Sequence, residues 1–554
     1  MRTFQRLTAL WLAVFMMITV LAGCGEQEKA AGLSLSVCVG PAPVSLDPIY
    51  AEQQGDQSIL AHLYENLMRV AADENGNAVV ETGVAKSVEH EENHDGTMTY
   101  TFRLRNAKWS DGRDVTANDF VYAWQRLANP ASQSPYAELL SVVVGYEEAR
   151  ASGEMDFLQV TAKNDTTLVV NLTGHYDWFL REVCTSPATM PLRQDVVYRM
   201  KEAAKMGVFN GAWWGDAKSL VTNGPYLVSD FEKTGLTLTA GDHYETKKVM
   251  PAEIRFCFAD SAETAWEMYE AEEIDAVWSV GEERLAELAE EEDWMAIPEL
   301  AAHSVLFNGN HPLLGDVLIR QAMTLAMDRN ALAGLAGITA RPAEGLIPHG
   351  VPENDEGDFR TNGGELLDND PEAYQILCEN AKLVLEEAGY SSGGEFGEME
   401  FLYVESPTAA AVAQALCQQW QAVLGMQVVP RGVTESELWA ALRSGEYALA
   451  GVELEAVGND AECFLMEWTS DNPNNVIGYT NTAYDTLMSI IASAADGAAR
   501  MGCLHDAEVL LLSDYALAPI YTHGVVWEMR PELVGACRDA RGWFSFAGVM
   551  EKQI

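Results

Sequence analysis

For its size this 554-residue sequence is short of basic residues: 35 lysines and arginines stand against 83 aspartates and glutamates, a formal charge of −48. A surface that acidic repels phosphate backbones and anionic headgroups, which excludes nucleic acid as a partner. The nine cysteines form no CxxC pair and no tight zinc-type spacing, so no clustered metal site is expected from them. There is no GxSxG elbow, no phosphate-binding loop, no internal repeat and no low-complexity linker. Long apolar runs are equally scarce, because after the uncharged stretch from Leu7 to Gly23 no second one follows.

That single run carries information. Arg2 and Arg6 precede it, Leu21-Ala22-Gly23-Cys24 ends it with small residues, and a polar GEQEKAAG segment comes next. A membrane-spanning helix needs ~20 apolar residues, so length alone allows an anchor, but the small-residue ending favours cleavage. The LAGC sequence resembles a bacterial lipobox, which implies removal of residues 1–23 and lipidation of Cys24. Such processing removes two arginines and no acids, leaving 33 basic against 83 acidic residues in 531, a charge of −50. With 48% apolar residues the full sequence is globular in composition, and the remainder is long enough for two or three domains. Its eight dispersed cysteines permit disulfides outside the cell or buried free thiols equally.

Strand and helix patterns interleave. From Thr97 to Arg105 the residues alternate, with Met98, Tyr100, Phe102 and Leu104 on one face, which predicts a half-buried strand; Asp95-Gly96 before it predicts a hairpin turn. Thr116 and Asp119 form a capping box opening a helix through Trp124. Further strands are expected at Thr167–Leu172 and Leu236–Thr239, and helices at 317–327, 371–388 and 408–424. The acidic run around Glu282 to Asp293 reads as a solvated helix face. Interleaving of both kinds gives an α/β class.

Residues 108–126 read KWSDGRDVTANDFVYAWQR, with NPASQSPYAELL following. In chain order come SLDP at 45–48, LYENL at 63–67, TNGPY at 222–226, FNGNHPLLGDVLIRQAMTLAMDR at 307–329, EEAGY at 386–390, NNVIGYTNTAYD at 474–485 and PIY at 519–521. Together these eight blocks resemble the family 5 extracellular solute-binding proteins, the oligopeptide- and dipeptide-binding group. The resemblance implies a two-lobed, periplasmic-binding-protein-like α/β clamp with an extra third domain. Lobe one would comprise residues 24–64, 175–275 and 525–554, the extra domain 65–174, and lobe two 276–524. It also implies no catalysis and no cofactor. The product would be an exported monomer, tethered through lipid to the outer face of the cytoplasmic membrane or periplasmic, handing a peptide to an ABC permease with its separate ATPase. Relatives also carry nickel complexes, haem or oligosaccharides, or sense a peptide signal.

In such proteins two segments wall the cleft, here Glu52-Gln53-Gln54 and Glu453-Leu454-Glu455-Ala456-Val457. Peptide-binding relatives place an aspartate for the peptide ammonium where this chain has Val457, and a buried ammonium needs a partner charge. Glu453, Glu455 or Asp460 would have to replace it, or the ligand lacks a free N-terminus. Tyr136, Asn223 and His523 match pocket-facing positions, and Arg443 is a candidate for a ligand carboxylate. His90-Glu91-Glu92-Asn93-His94 fits HExxH, but a zinc protease needs that motif on one helix. This segment has no apolar face and runs into a turn and a strand, so a metallo-hydrolase is the distant alternative.

Overall fold

The computed structural model describes residues 32–73, 76–176, 178–206, 213–214, 218, 220–244, 251–290, 296–353, 357–456, 458–494 and 497–552. The leader, Cys24 and Val457 lie outside these residues.

The chain opens with β1 (Ser34–Cys38), whose Leu35 and Val37 are fully buried, and with the helix Gln54–Leu63. It then leaves for a hairpin of β2 (Met68–Ala72) and β3 (Ala78–Thr82). A four-stranded antiparallel sheet follows, made of β4 (Ala85–Glu92), β5 (Met98–Leu104), β6 (Val160–Asn164) and β7 (Thr167–Leu172), in the order β4-β5-β7-β6. On β5 the alternating Met98, Tyr100, Phe102 and Leu104 are all buried, as a one-sided sheet demands. The helix Ala117–Ala128 carries the expected capping box, the Thr116 amide donating to Asp119 Oδ2 at 2.8 Å. The WSDG segment is a turn in which Gly112 takes φ +87°, a conformation open to glycine, and Trp109 is fully buried. His90 to Glu92 belong to β4, with His90 opposite Tyr100 and their rings 5.5 Å apart. The HExxH residues therefore share no helix.

Returning, the chain adds β8 (Tyr226–Glu232), β9 (Gly235–Ala240), β10 (Glu253–Cys257) and β11 (Ala276–Val277) to the first sheet. β1 runs parallel to β10 and to β11. Because Ala276 and Val277 hydrogen-bond beside β1, this sheet extends past residue 275, where the sequence placed the boundary. The second sheet holds β12 (Ile297–Phe307), β13 (Arg341–Pro342), β14 (Glu398–Val404), β15 (Gln427–Val433), β16 (Leu449–Glu455) and β17 (Leu517–Val525), in the order β13-β17-β12-β16-β14-β15. β18 (Glu528–Met529) then rejoins the first sheet against β11. The two crossings between sheets run side by side, Val280 N–H donating to Val526 O at 3.0 Å. Paired crossings of this kind are where a hinge can sit.

One continuous core joins the first sheet to the four-stranded sheet, whereas the second sheet has separate cores on its two faces. All eight cysteines after Cys24 are free thiols, six of them buried. No helix among the described residues is long and apolar enough to cross a membrane.

Candidate functional site

The site starts from strand alternation. On β16, Leu449, Gly451, Glu453 and Glu455 share a face. Across the ladder they oppose Phe307, Val305, His303 and Ala301 of β12, and His303 in turn opposes Tyr521 of β17. Tyr403 of β14 opposes Gly451. Along this one face the residues change from apolar to polar. At the apolar end Leu449, Val305, Phe307 and Phe401 pack with Leu416 and Trp420 of the helix Pro407–Leu424. At the polar end the cover stops, and a cavity of about 720 Å³ opens, lined among others by His303, Tyr403, Glu453, Glu455, Tyr521 and His523. Gly451 sits at the transition: a Cβ there would lie 2.7 Å from the Phe401 ring and 3.4 Å from His303 Nε2.

The rings of His303 and Tyr521 stack in parallel at 4.8 Å, and His523 meets Tyr521 edge-on at 4.9 Å. Burial pushes the His303 imidazolium down to about 4, and neighbouring His523 pushes the same way. His523 is lowered by burial too, against the pull of Glu299. Both rings are therefore neutral at pH 7. Glu453 and Glu455 reach solvent, yet enough protein surrounds them that desolvation raises both carboxyls, with repulsion from Glu299 adding. Among the described residues neither has an ion-pair partner.

Facing this wall are the start of lobe one and Tyr136, from the segment expected to form the extra domain. Tyr136 Oη donates to Ala51 O at 3.0 Å and accepts from Gln57 Nε2 at 2.9 Å. Burial pushes this phenol up to about 12, and the carboxylates of Glu52, from lobe one, and Glu455, from lobe two, add to the rise. Both carboxylates therefore lie near one hydroxyl, one from each lobe, where a clamp of this kind has its groove. Gln53, next in sequence to Glu52, is exposed. Gln54 instead turns its amide against Gly542.

Three of the expected residues lie off the wall of this cavity. Asn223 is 1% exposed, and both ends of its amide bind the Glu65 main chain, Nδ2 to O at 2.9 Å and Oδ1 to N at 3.2 Å; it braces a turn. Arg443 is exposed in the last turn of the helix Glu435–Ser444 and is absent from the cavity wall. Ala456 is buried, its N–H given to Leu300 O at 2.9 Å. Of the acids expected to replace an aspartate at Val457, Asp460 is already committed: it pairs with Arg500 at 2.8 Å and Arg181 at 3.2 Å. Arg500 also binds Glu462 at 2.8 Å, which accepts from Trp178 Nε1 at 2.9 Å. This buried network joins residues 178–181 to the segment just past the cavity wall. His303, Tyr403 and Tyr521 went unnoticed in the sequence, although the two-residue spacing Glu299, Ala301, His303, Val305 traces the same polar-to-apolar face.

Two lobes joined by paired crossings, with a groove between them, define a solute-binding clamp. The chain belongs to the bacterial extracellular solute-binding proteins, family 5, whose model matches residues 79–476. It is 28% identical over 502 residues to the probable deoxycholate-binding periplasmic protein YgiS of Escherichia coli (strain K12), covering 89% of this chain and 88% of that one. It is 27% identical over 534 residues to the oligopeptide-binding protein OppA of Bacillus subtilis (strain 168), covering 94% and 93%. The solved Haemophilus influenzae OppA in complex with RPPGFSPFR is similar at a TM-score of 0.71 and 25% identity, covering 94% of this chain and 99% of that one.

Proposed function

We propose that this protein is the exported, lipid-anchored binding component of an ABC importer, which captures a peptide between its lobes and delivers it to a permease driven by a separate ATPase. The observation that carries the choice of ligand is the pair Glu453 and Glu455 at the groove wall. Both are partly desolvated and, among the described residues, have no cation of the protein's own. A peptide ammonium supplies what they lack, in place of an aspartate at Val457. A bile-acid carboxylate, which the name of one relative raises, would meet these groups with the wrong sign. Closure requires only that ligand bind the closed form better than the open one. The anchor rests on Leu21-Ala22-Gly23-Cys24, and Cys24→Ser should release the protein from membranes.

The test is native mass spectrometry of protein purified from its host, followed by thermal shift with the retained compounds. Retained peptides with free N-termini, raising the melting temperature and losing that effect on N-acetylation, support the assignment. A retained non-peptide ligand, with no response to any peptide pool, sinks it.

A further inference from the structure

The chemistry of the cavity goes further than an ammonium site. Four glutamates line it, Glu435, Glu453, Glu455 and Glu467, and its described lining contains no lysine or arginine. Among the described residues none of the four has an ion pair, and the two nearby histidines are neutral at pH 7. Glu467 is half-buried, and desolvation raises its carboxyl. One ligand ammonium would leave most of this charge unanswered, and uncompensated carboxylates in a partly dry cavity repel one another.

Independent features point to a ligand here. Tyr403 and Tyr521 are 9% and 3% exposed and line the cavity. Among the described residues their hydroxyls bond no protein group, and neither oxygen is among the fully buried ones that lack a partner, so these otherwise buried side chains turn their hydroxyls to the open cavity. Trp439 and Trp468 belong to the same wall. Carboxylates set among aromatic rings suit ammonium and guanidinium groups, which gain from both.

We infer that this cavity takes a cationic side chain, so that the preferred ligand is a basic peptide bearing at least one lysine or arginine besides its N-terminal ammonium. This rests on the peptide-binding assignment above and narrows it. Glu453 and Glu455 on β16 hold the ammonium, while Glu435 and Glu467, elsewhere on the same lining, face the charged side chain.

The test is calorimetric titration of the chain from Cys24 onward with matched lysine, alanine and glutamate peptides of two to six residues, and with spermidine. The lysine peptides should bind at least about tenfold tighter than the alanine peptides, with the advantage shrinking at high salt. The double variant Glu435→Gln, Glu467→Gln should cut the lysine-to-alanine affinity ratio by about tenfold. Alanine or glutamate peptides binding as tightly as lysine peptides would overturn this inference and leave the peptide assignment standing. Spermidine binding with no peptide binding would support the cationic cavity and overturn the peptide assignment. Binding of none of them would overturn both.

Discussion

Glu453 and Glu455 stand a few residues before Asp460 and Glu462, and the two pairs have opposite surroundings. Asp460 and Glu462 are 1% and 6% exposed and are held by Arg500, Arg181 and Trp178. Glu453 and Glu455 reach solvent in a groove and, among the described residues, have no cation. Two histidines repeat the contrast, both pushed down to about 4 by burial. His62 places both ring nitrogens, Nδ1–H donating to Ser58 O at 2.7 Å and Nε2 accepting from Phe546 N–H at 2.9 Å. His303 only stacks on Tyr521 beside the cavity. In these two comparisons the groups away from the groove are held by partners of the protein's own, and those at its wall are not, among the described residues.

The contrast breaks most readily at Arg500, which is fully buried on the helix Gly497–Ser513. Arg500→Ala strands Glu462 without a cation and leaves Asp460 to Arg181 alone. The expected loss is about 3–5 kcal/mol in chemical denaturation, the range for a broken buried pair. A loss below about 1 kcal/mol would mean that the network is no more settled than the groove.

Acid provides the next largest effect. His62 has a folded pKa near 4 against an ordinary 6.5, so the unfolded chain binds the extra proton between those values. Its contribution to stability is complete above 6.5 and is lost as pH falls toward 4, amounting to about 2 kcal/mol by pH 5. Protonation would also point Nε2–H at the Phe546 N–H. Glu453 and Glu455, raised in the folded state, act with the opposite sign and recover stability as they protonate. Comparing denaturation at pH 7 and pH 5 in the native protein and in His62→Gln isolates the histidine. Equal slopes in both would remove His62 from the settled class.

Asn223 sharpens the comparison on a smaller scale. With both amide ends on the Glu65 main chain, Asn223→Ala should cost about 1–2 kcal/mol and leave ligand affinity unchanged. A change in affinity with stability intact would return it to the binding surface. Its inward-turned amide shows what the sequence could express. Alternation on β5, the hairpin turn at Asp95-Gly96 and the Thr116–Asp119 cap are local, and all were legible because each is fixed by spacing within a few residues. Register is not local. That His303 faces Glu453 and Tyr521 depends on three strands drawn from across lobe two, and that Asp460 is consumed depends on Arg500 and Arg181. The TNGPY motif marked a place in the chain correctly without revealing whether its amide looked outward or inward.

The smallest effect on stability, and the most discriminating, belongs to the groove pair itself. In Glu453→Gln, Glu455→Gln the amides keep the shape and remove two like charges that burial and Glu299 already disfavour in the ionised form. Water still reaches both groups and screens them, so the ligand-free protein should change by less than about 0.5 kcal/mol, with any change a gain at pH 7. The upward drift of stability on mild acidification should shrink with them. Ligand affinity should fall by at least about tenfold over the same substitutions. Stability and binding would then move independently at Glu453 and Glu455, whereas at Arg500 any loss of binding would follow from loss of fold. If the double variant instead lost more than about 1 kcal/mol without ligand, the two carboxylates would be serving the fold, and the groove would need another explanation for its charge.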